Sequence, residues 1–152
     1  MTYVIWITRE GAKVDRIACP WLIRKFIDPQ AEFRYVARER VLEEARRSAA
    51  IPYDTPGAKL THYVEDGVEY VSFDAIIREY KLTDPALLEL AKIVRTADGG
   101  TATAPEGPGL SAAATGFRAI SPDDLANQRI QFPLYDALYA YCQTKIGKVG
   151  RP

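Results

Sequence analysis

An α/β (α+β) fold is the class this sequence predicts, with a small mixed sheet formed in the N-terminal half and a helical C-terminal half. Three observations predict it. Tyr3 to Thr8 (YVIWIT) is a continuous β-branched and aromatic run, the pattern of a central strand buried on both faces. A strand-helix-strand-helix order follows it. After the Gly- and Pro-rich stretch Gly99 to Gly109, no further strand pattern occurs.

Taken in order, the polar turn Arg9 to Val14 contains Gly11, and Ile17, Ala18, Trp21, Leu22 and Phe26 then recur at helical spacing to about Ile27. The helix begins at Asp15 or at Pro20, and the two starts have different chemical consequences. Glu32 to Ala37 alternates as a second strand, and a charged helix follows over Glu39 to Ala49, with Val41, Leu42 and Ala45 as its apolar side. Ile51 to Lys59, with Pro52, Pro56 and Gly57, is expected to be a loop. Leu60 to Val64 and Val68 to Val71 flank Glu65-Asp66-Gly67, a hairpin signal. Ser72 to Tyr80 is a short helix with Ser72 as its cap. Thr83 or Asp84, with Pro85 next, opens another helix that runs to about Ala97. Gly99 to Gly109 (GGTATAPEGPG) is a mobile loop or a lid. Leu110 to Ile120 is helical, Ser121-Pro122-Asp123-Asp124 starts another helix, and Phe132 to Lys145 forms a last one. The tail from Gly147 to Pro152 is expected to fray.

The 152 residues suit one domain, 1–152, with one core. Twenty basic residues balance twenty acidic ones, so no broad electropositive face for nucleic acid is expected. The start, MTYVIWITREG, does not read as a signal peptide, and no run of about 18 apolar residues suggests a membrane span. With only two cysteines, Cys19 and Cys142, a reducing, cytoplasmic setting is expected.

Chemistry concentrates in Val14 to Arg24 (VDRIACPWLIR). If the helix begins at Pro20, Cys19 sits at its N-cap, where free N–H groups, the helix dipole, Arg16 and Arg24 would lower its pKa and make it a nucleophile or an oxyanion-adjacent ligand. If it begins at Asp15, Cys19 is a small buried residue. Four residues separate Cys19 from Arg24, which excludes a phosphatase-like loop with its five. Arg9, Arg16 and Arg24 flank the carboxyl end of the first strand, where open α/β sheets place ligands, and with Asp15 they could line an oxyanion pocket. Pairing with neighbouring acids is the alternative.

His62 is the only histidine, which rules out a three-histidine metal centre. With Asp98, Glu106 or Asp74 it could still hold a divalent ion such as Mn, Fe or Zn. The alternative is an imidazole bonded to a backbone carbonyl. Asp98 closes a long helix, where the dipole disfavours an anion, and so calls for a compensating partner. Tyr135, Tyr139 and Tyr141 with Phe132 and Leu138 read as packing. There is no dinucleotide or P-loop fingerprint.

The motifs VDRIACPWLIRKFIDPQAEF, IPYDTPGAKLTH, SFDAII, DPALLELAKIVRTAD, PEGPGL and LYDALYAYC, in this order, resemble the chromate-resistance protein family of ChrB type and cover nearly the whole chain. In that family the region resembles the C-terminal domain of longer proteins. The resemblance implies a role in chromate resistance or sensing, and it places His62 in a shared motif. Many relatives carry a cysteine where this chain has Val71.

Three readings follow. The first is a cytoplasmic domain that binds a small oxyanion or a divalent metal through Asp15, Arg16, Cys19 and Arg24 near His62, Asp98 and Glu106. The second is a small-molecule enzyme with Cys19 as nucleophile or His62 as base. The third is a structural or interaction module, and an oligomer is compatible with all three.

Overall fold

A computed structural model describes residues 4–149. The buried run predicted at the start forms β1 (Ile5–Arg9), followed by α1 (Asp15–Phe26), β2 (Glu32–Val36) and α2 (Val41–Ser48), the last after a single 3-10 turn, Arg38–Arg40. Tyr3 lies outside the described residues. β3 (Ile51–Pro52) falls inside the segment expected to be a loop. It is only two residues long and contains a proline, so it carries no strand periodicity. Pairing with β1 makes it a strand. The sheet order is β2-β1-β3, all parallel, with Trp6 opposite Phe33 and Ile51.

β1 is central, as its apolar run predicts, and its two faces bury different cores. Ile7 packs with Val41, Ala45 and Ala50 under α2. Trp6 faces the main core with Trp21, Leu22, Tyr53, Phe73, Leu90 and Tyr135. Burying each such large apolar side chain contributes about 1.5–3 kcal/mol.

The predicted hairpin forms β4 (Tyr63–Glu65) and β5 (Val68–Tyr70), a separate antiparallel sheet rather than part of a mixed one. Asp66 and Gly67 both have positive φ, 51° and 77°, which the two-residue turn requires.

α3 (Ser72–Glu79) begins one residue after its cap at Val71, whose N–H donates to Asp74 Oδ2 at 3.0 Å; Ser72 is therefore not the cap. α4 (Pro85–Ala97) starts as expected, with the Asp84 carboxylate accepting Leu87 N–H at 2.9 Å and Pro85 in the first turn. α5 (Gly107–Ile120) takes the last three residues of the expected loop into its first turn. α6 (Asp124–Val149) is one helix of 26 residues where two were expected. Pro133 in its interior removes a hydrogen bond worth part of about 3 kcal/mol. Packing of Tyr135, Tyr139 and Cys142 against α1 and α4 outweighs that loss. Gly147 to Val149 close α6, and the rest of the tail lies outside the described residues. Among the described residues no helix is long and apolar enough to cross a membrane.

Pro20 also lies inside a helix. α1 begins at Asp15, and the Arg16 carbonyl, four residues before Pro20, loses its usual partner. The Tyr35 hydroxyl on β2 donates to that carbonyl at 2.7 Å, so the proline leaves no orphaned group.

Candidate metal centre

The carboxyl ends of β1 and β3, the start of α1, the start of α3 and the end of α4 meet at one place. Asp15 is the first residue of α1 and Asp54 follows β3, in a left-handed conformation (φ 49°) that a short polar side chain tolerates. His62 precedes β4, and Asp98 terminates α4. The Nε2 atom of His62 lies 3.4 Å from Asp15 Oδ2, 3.2 Å from Asp54 Oδ1 and 3.3 Å from Asp98 Oδ2. Three carboxylates thus converge on one imidazole nitrogen. One ligand atom each from Asp15, Asp54 and His62 lies within 4.8 Å of the other two, a spacing that suits a metal ion.

The remaining lone pairs are taken, which fixes the geometry. Ser72 N–H donates to Asp15 Oδ2 at 2.8 Å and Phe73 N–H to Asp15 Oδ1 at 3.1 Å, so the Asp15 carboxylate sits on the N-terminus of α3. Ser72 Oγ donates to Asp54 Oδ1 at 2.7 Å, and Arg16 reaches Asp54 Oδ2 at 3.3 Å. Arg9 donates through Nε to the Asp54 carbonyl at 3.0 Å.

Burial and charge then set the protonation states. Asp15 is fully buried, and desolvation outweighs its hydrogen bonds, pushing its carboxyl up to about 7. Burial also opposes ionisation of Asp54, but the close His62 imidazolium, the Ser72 hydrogen bond and the Arg16 charge outweigh it and hold that carboxyl below the usual range. The carboxylates of Asp15, Asp54 and Asp98, each within 3.2–3.4 Å of Nε2, push the His62 imidazolium up to about 12. Asp98, expected to need a compensating partner at its helix C-terminus, finds it in His62.

The description "ChrB, C-terminal domain" matches residues 6–142. The chain belongs to this family. It is 34% identical over 140 residues to Protein ChrB of Cupriavidus metallidurans, covering 90% of the chain and 40% of that protein. The chain thus spans less than half the length of this relative. No solved structure matches it.

Within this ChrB-family domain the other residues singled out from the sequence divide sharply. Cys19 is in the middle of α1 and fully buried, not at an N-cap. Its thiol lies 3.5 Å from Asp15 Oδ1, and burial and then the Asp15 charge push its pKa well up, the opposite of activation. Arg24 is on another part of the surface. It donates to the Ala31 carbonyl at 3.2 Å, with its guanidinium 5.1 Å from the Phe33 ring centre and 5.9 Å from that of Phe132. Arg9 and Arg16 are engaged by Asp54, so the three arginines do not assemble an oxyanion pocket.

Glu106 is likewise apart from His62: it accepts from the Tyr141 hydroxyl and pairs with Lys145 at 3.4 Å. Asp74 holds Arg95 through two hydrogen bonds, at 2.9 and 3.0 Å. Asp15, Arg16, His62 and Asp98 are therefore brought together, whereas Arg24, Glu106 and Asp74 are not. The sequence reading missed Asp54 and Ser72. Both lie in the motifs IPYDTPGAKLTH and SFDAII, which carried the family resemblance, and Asp54 follows a proline and an aromatic as a lone acid before a turn.

Proposed function

We propose that this domain holds one divalent cation through Asp15, Asp54, His62 and Asp98, as its part in chromate resistance in the cytoplasm. The observation that carries the reading is the convergence of three carboxylates on His62 Nε2 at 3.2–3.4 Å, with the two buried carboxylates fixed by donors from α3 and α1. Oxygen-rich donors with one imidazole suit Mn, Fe or Zn. The hydrogen bonds to Asp15 and Asp54 supply the outer support that such ligands require.

The cluster is a poor receptor for a free oxyanion, because three carboxylates converge there and Arg9 and Arg16 are already engaged by Asp54. A base role for His62 is disfavoured too, since its imidazole is held as the cation. Cys19 lacks both exposure and a depressed pKa, which speaks against the nucleophile reading.

The test is elemental analysis of protein purified without chelator, followed by calorimetric titration of the stripped protein with Mn²⁺, Zn²⁺, Fe²⁺, chromate and sulfate. About one divalent ion per chain, lost in His62→Ala and Asp54→Asn, is the expected result. Absence of stoichiometric metal binding, or binding of chromate alone, would overturn the proposal.

A further inference from the structure

Asp124, Asn127, Gln131 and Tyr135 follow one another along a single stripe of α6, and each bonds the backbone of the loop between β1 and α1. The Asp124 carboxylate accepts Gly11 N–H at 3.0 Å and Ala12 N–H at 2.7 Å. Asn127 Nδ2 donates to the Ala12 carbonyl at 3.1 Å, Gln131 Nε2 to the Lys13 carbonyl at 3.3 Å and the Tyr135 hydroxyl to the Val14 carbonyl at 3.3 Å. The contacts run in step along helix and loop and end at the residue before Asp15. We infer that this stripe positions the metal ligand Asp15, so that the seating of α6 and the occupancy of the metal site are coupled. This rests on the metal reading above and adds positioning residues outside its ligand set.

The loop has little stiffness of its own. Among the described residues, no backbone hydrogen bond joins one residue between Glu10 and Val14 to another, and Gly11 turns the chain at φ +78° with open space where a Cβ would sit. Its geometry is therefore set from outside. Asp15 is bracketed: Tyr135 holds the Val14 carbonyl, and the Tyr35 hydroxyl holds the Arg16 carbonyl while accepting from Gln128 Nε2 of α6 at 2.7 Å. The loop also reaches the second buried ligand, because Arg16 Nη2 donates to the Gly11 carbonyl at 3.0 Å while its Nη1 holds Asp54. Thus α6 grips the backbone around Asp15, whereas α3 grips its carboxylate.

Packing alone does not call for these side chains. Asn127, Gln128 and Gln131 are 1%, 4% and 0% exposed, on a helix face where apolar residues would be buried at lower cost. Gln131 Oε1 is buried without a partner while Nε2 serves both Lys13 and Asn127, so this amide acts as a donor to the loop. Ligand atoms must lie within about 0.2 Å of a metal's preferred distance, so a loop released from α6 loses metal affinity.

The experiment compares two neighbouring acids. Asp124→Ala frees the loop. Asp123→Ala removes the same charge and the cap of α6, where Asp123 Oδ1 accepts Ala126 N–H at 2.8 Å, and leaves the loop contacts in place. Calorimetric titration with Mn²⁺ and the visible absorption of bound Co²⁺ are read on the native chain and the variants, with circular dichroism as the check on folding. Asp124→Ala is expected to bind Mn²⁺ about tenfold more weakly and to shift the Co²⁺ bands, as loss of outer support does. Asp123→Ala is expected to lower Tm yet keep Mn²⁺ affinity within about twofold and the native Co²⁺ bands. Gln131→Met, which keeps the side-chain length and drops the donor to Lys13, is expected to follow Asp124→Ala; if either of these two fails to fold, the other decides. Native Mn²⁺ affinity or native Co²⁺ bands in the folded loop variants, or an equal loss in Asp123→Ala, overturns the inference and leaves the metal reading standing. If the native chain binds no divalent ion, both fall.

Discussion

In the metal-free protein, Asp15→Asn is expected to raise stability above neutral pH and to lower it in acid. Burial moves the Asp15 carboxyl from 3.8 to about 7, a folded-state pKa above the unfolded one. The folded protein therefore binds more protons between these values, and its stability falls as pH rises through that window. By pH 8.5 the full cost applies, about 4 kcal/mol at about 1.4 kcal/mol per unit. Asn carries no charge and escapes it.

Asn has only one acceptor oxygen, however, where Asp15 serves Ser72 N–H with one oxygen and Phe73 N–H with the other. Losing one buried hydrogen bond costs about 1–3 kcal/mol at any pH. His62 keeps Asp54 and Asp98 as partners and remains charged. The net expectation is a gain of about 1–3 kcal/mol at pH 8.5 and a loss of similar size at pH 4, with each kcal/mol shifting Tm by about 2–4 °C. Thermal unfolding followed by circular dichroism in EDTA at the two pH values reads both. The same substitution should weaken divalent-metal binding by about a hundredfold or more. A Tm change of one sign and size at both pH values would refute the argument that burial penalises the Asp15 charge. Unchanged metal affinity would remove Asp15 as a ligand.

Further expectations follow from the same geometry. Because His62 is protonated in the metal-free protein, metal binding at pH 8 should release about one proton per ion, measurable as a dependence of the calorimetric heat on buffer ionisation enthalpy; no such dependence would remove His62 from the ligand set. Native Cys19 should react with iodoacetamide about a hundredfold or more slower than in the urea-unfolded chain, and fast native labelling would revive the nucleophile reading. Arg24→Ala should lower Tm by removing contacts worth about 1 kcal/mol while leaving metal affinity within about twofold, and Glu106→Gln should also leave that affinity unchanged; a large loss in either would place these residues back in the site.

Wherever local chemistry decides the conformation, the fold was legible from the sequence. The apolar run of β1, the Asp84-Pro85 start of α4 and the Asp66-Gly67 turn each carry their own signal, and each element forms where expected. Elements decided by distant partners were not legible. β3 is a strand only because Trp6 and Ile7 pair with it, and α6 continues through Pro133 only because its apolar side is buried. The start of α1 depends on Tyr35 in the same way. A hydroxyl 19 positions away takes up the carbonyl that Pro20 abandons, so a helix beginning at Asp15 loses nothing that one beginning at Pro20 would have kept.

That single hydrogen bond also decides the chemistry around Cys19. With the helix extended back to Asp15, the thiol moves from a cap to the interior and the buried carboxylate takes the first position of the helix, facing α3, Asp54 and His62. The residue with the unusual environment is then Asp15, an acid in a place where its charge is disfavoured by burial yet supplied with two backbone donors. Stability alone does not favour such a charge above neutral pH, as the Asn substitution tests. A divalent cation at the centre, as proposed, would offset that cost, because its attraction for a buried carboxylate exceeds that of the singly charged His62 imidazolium.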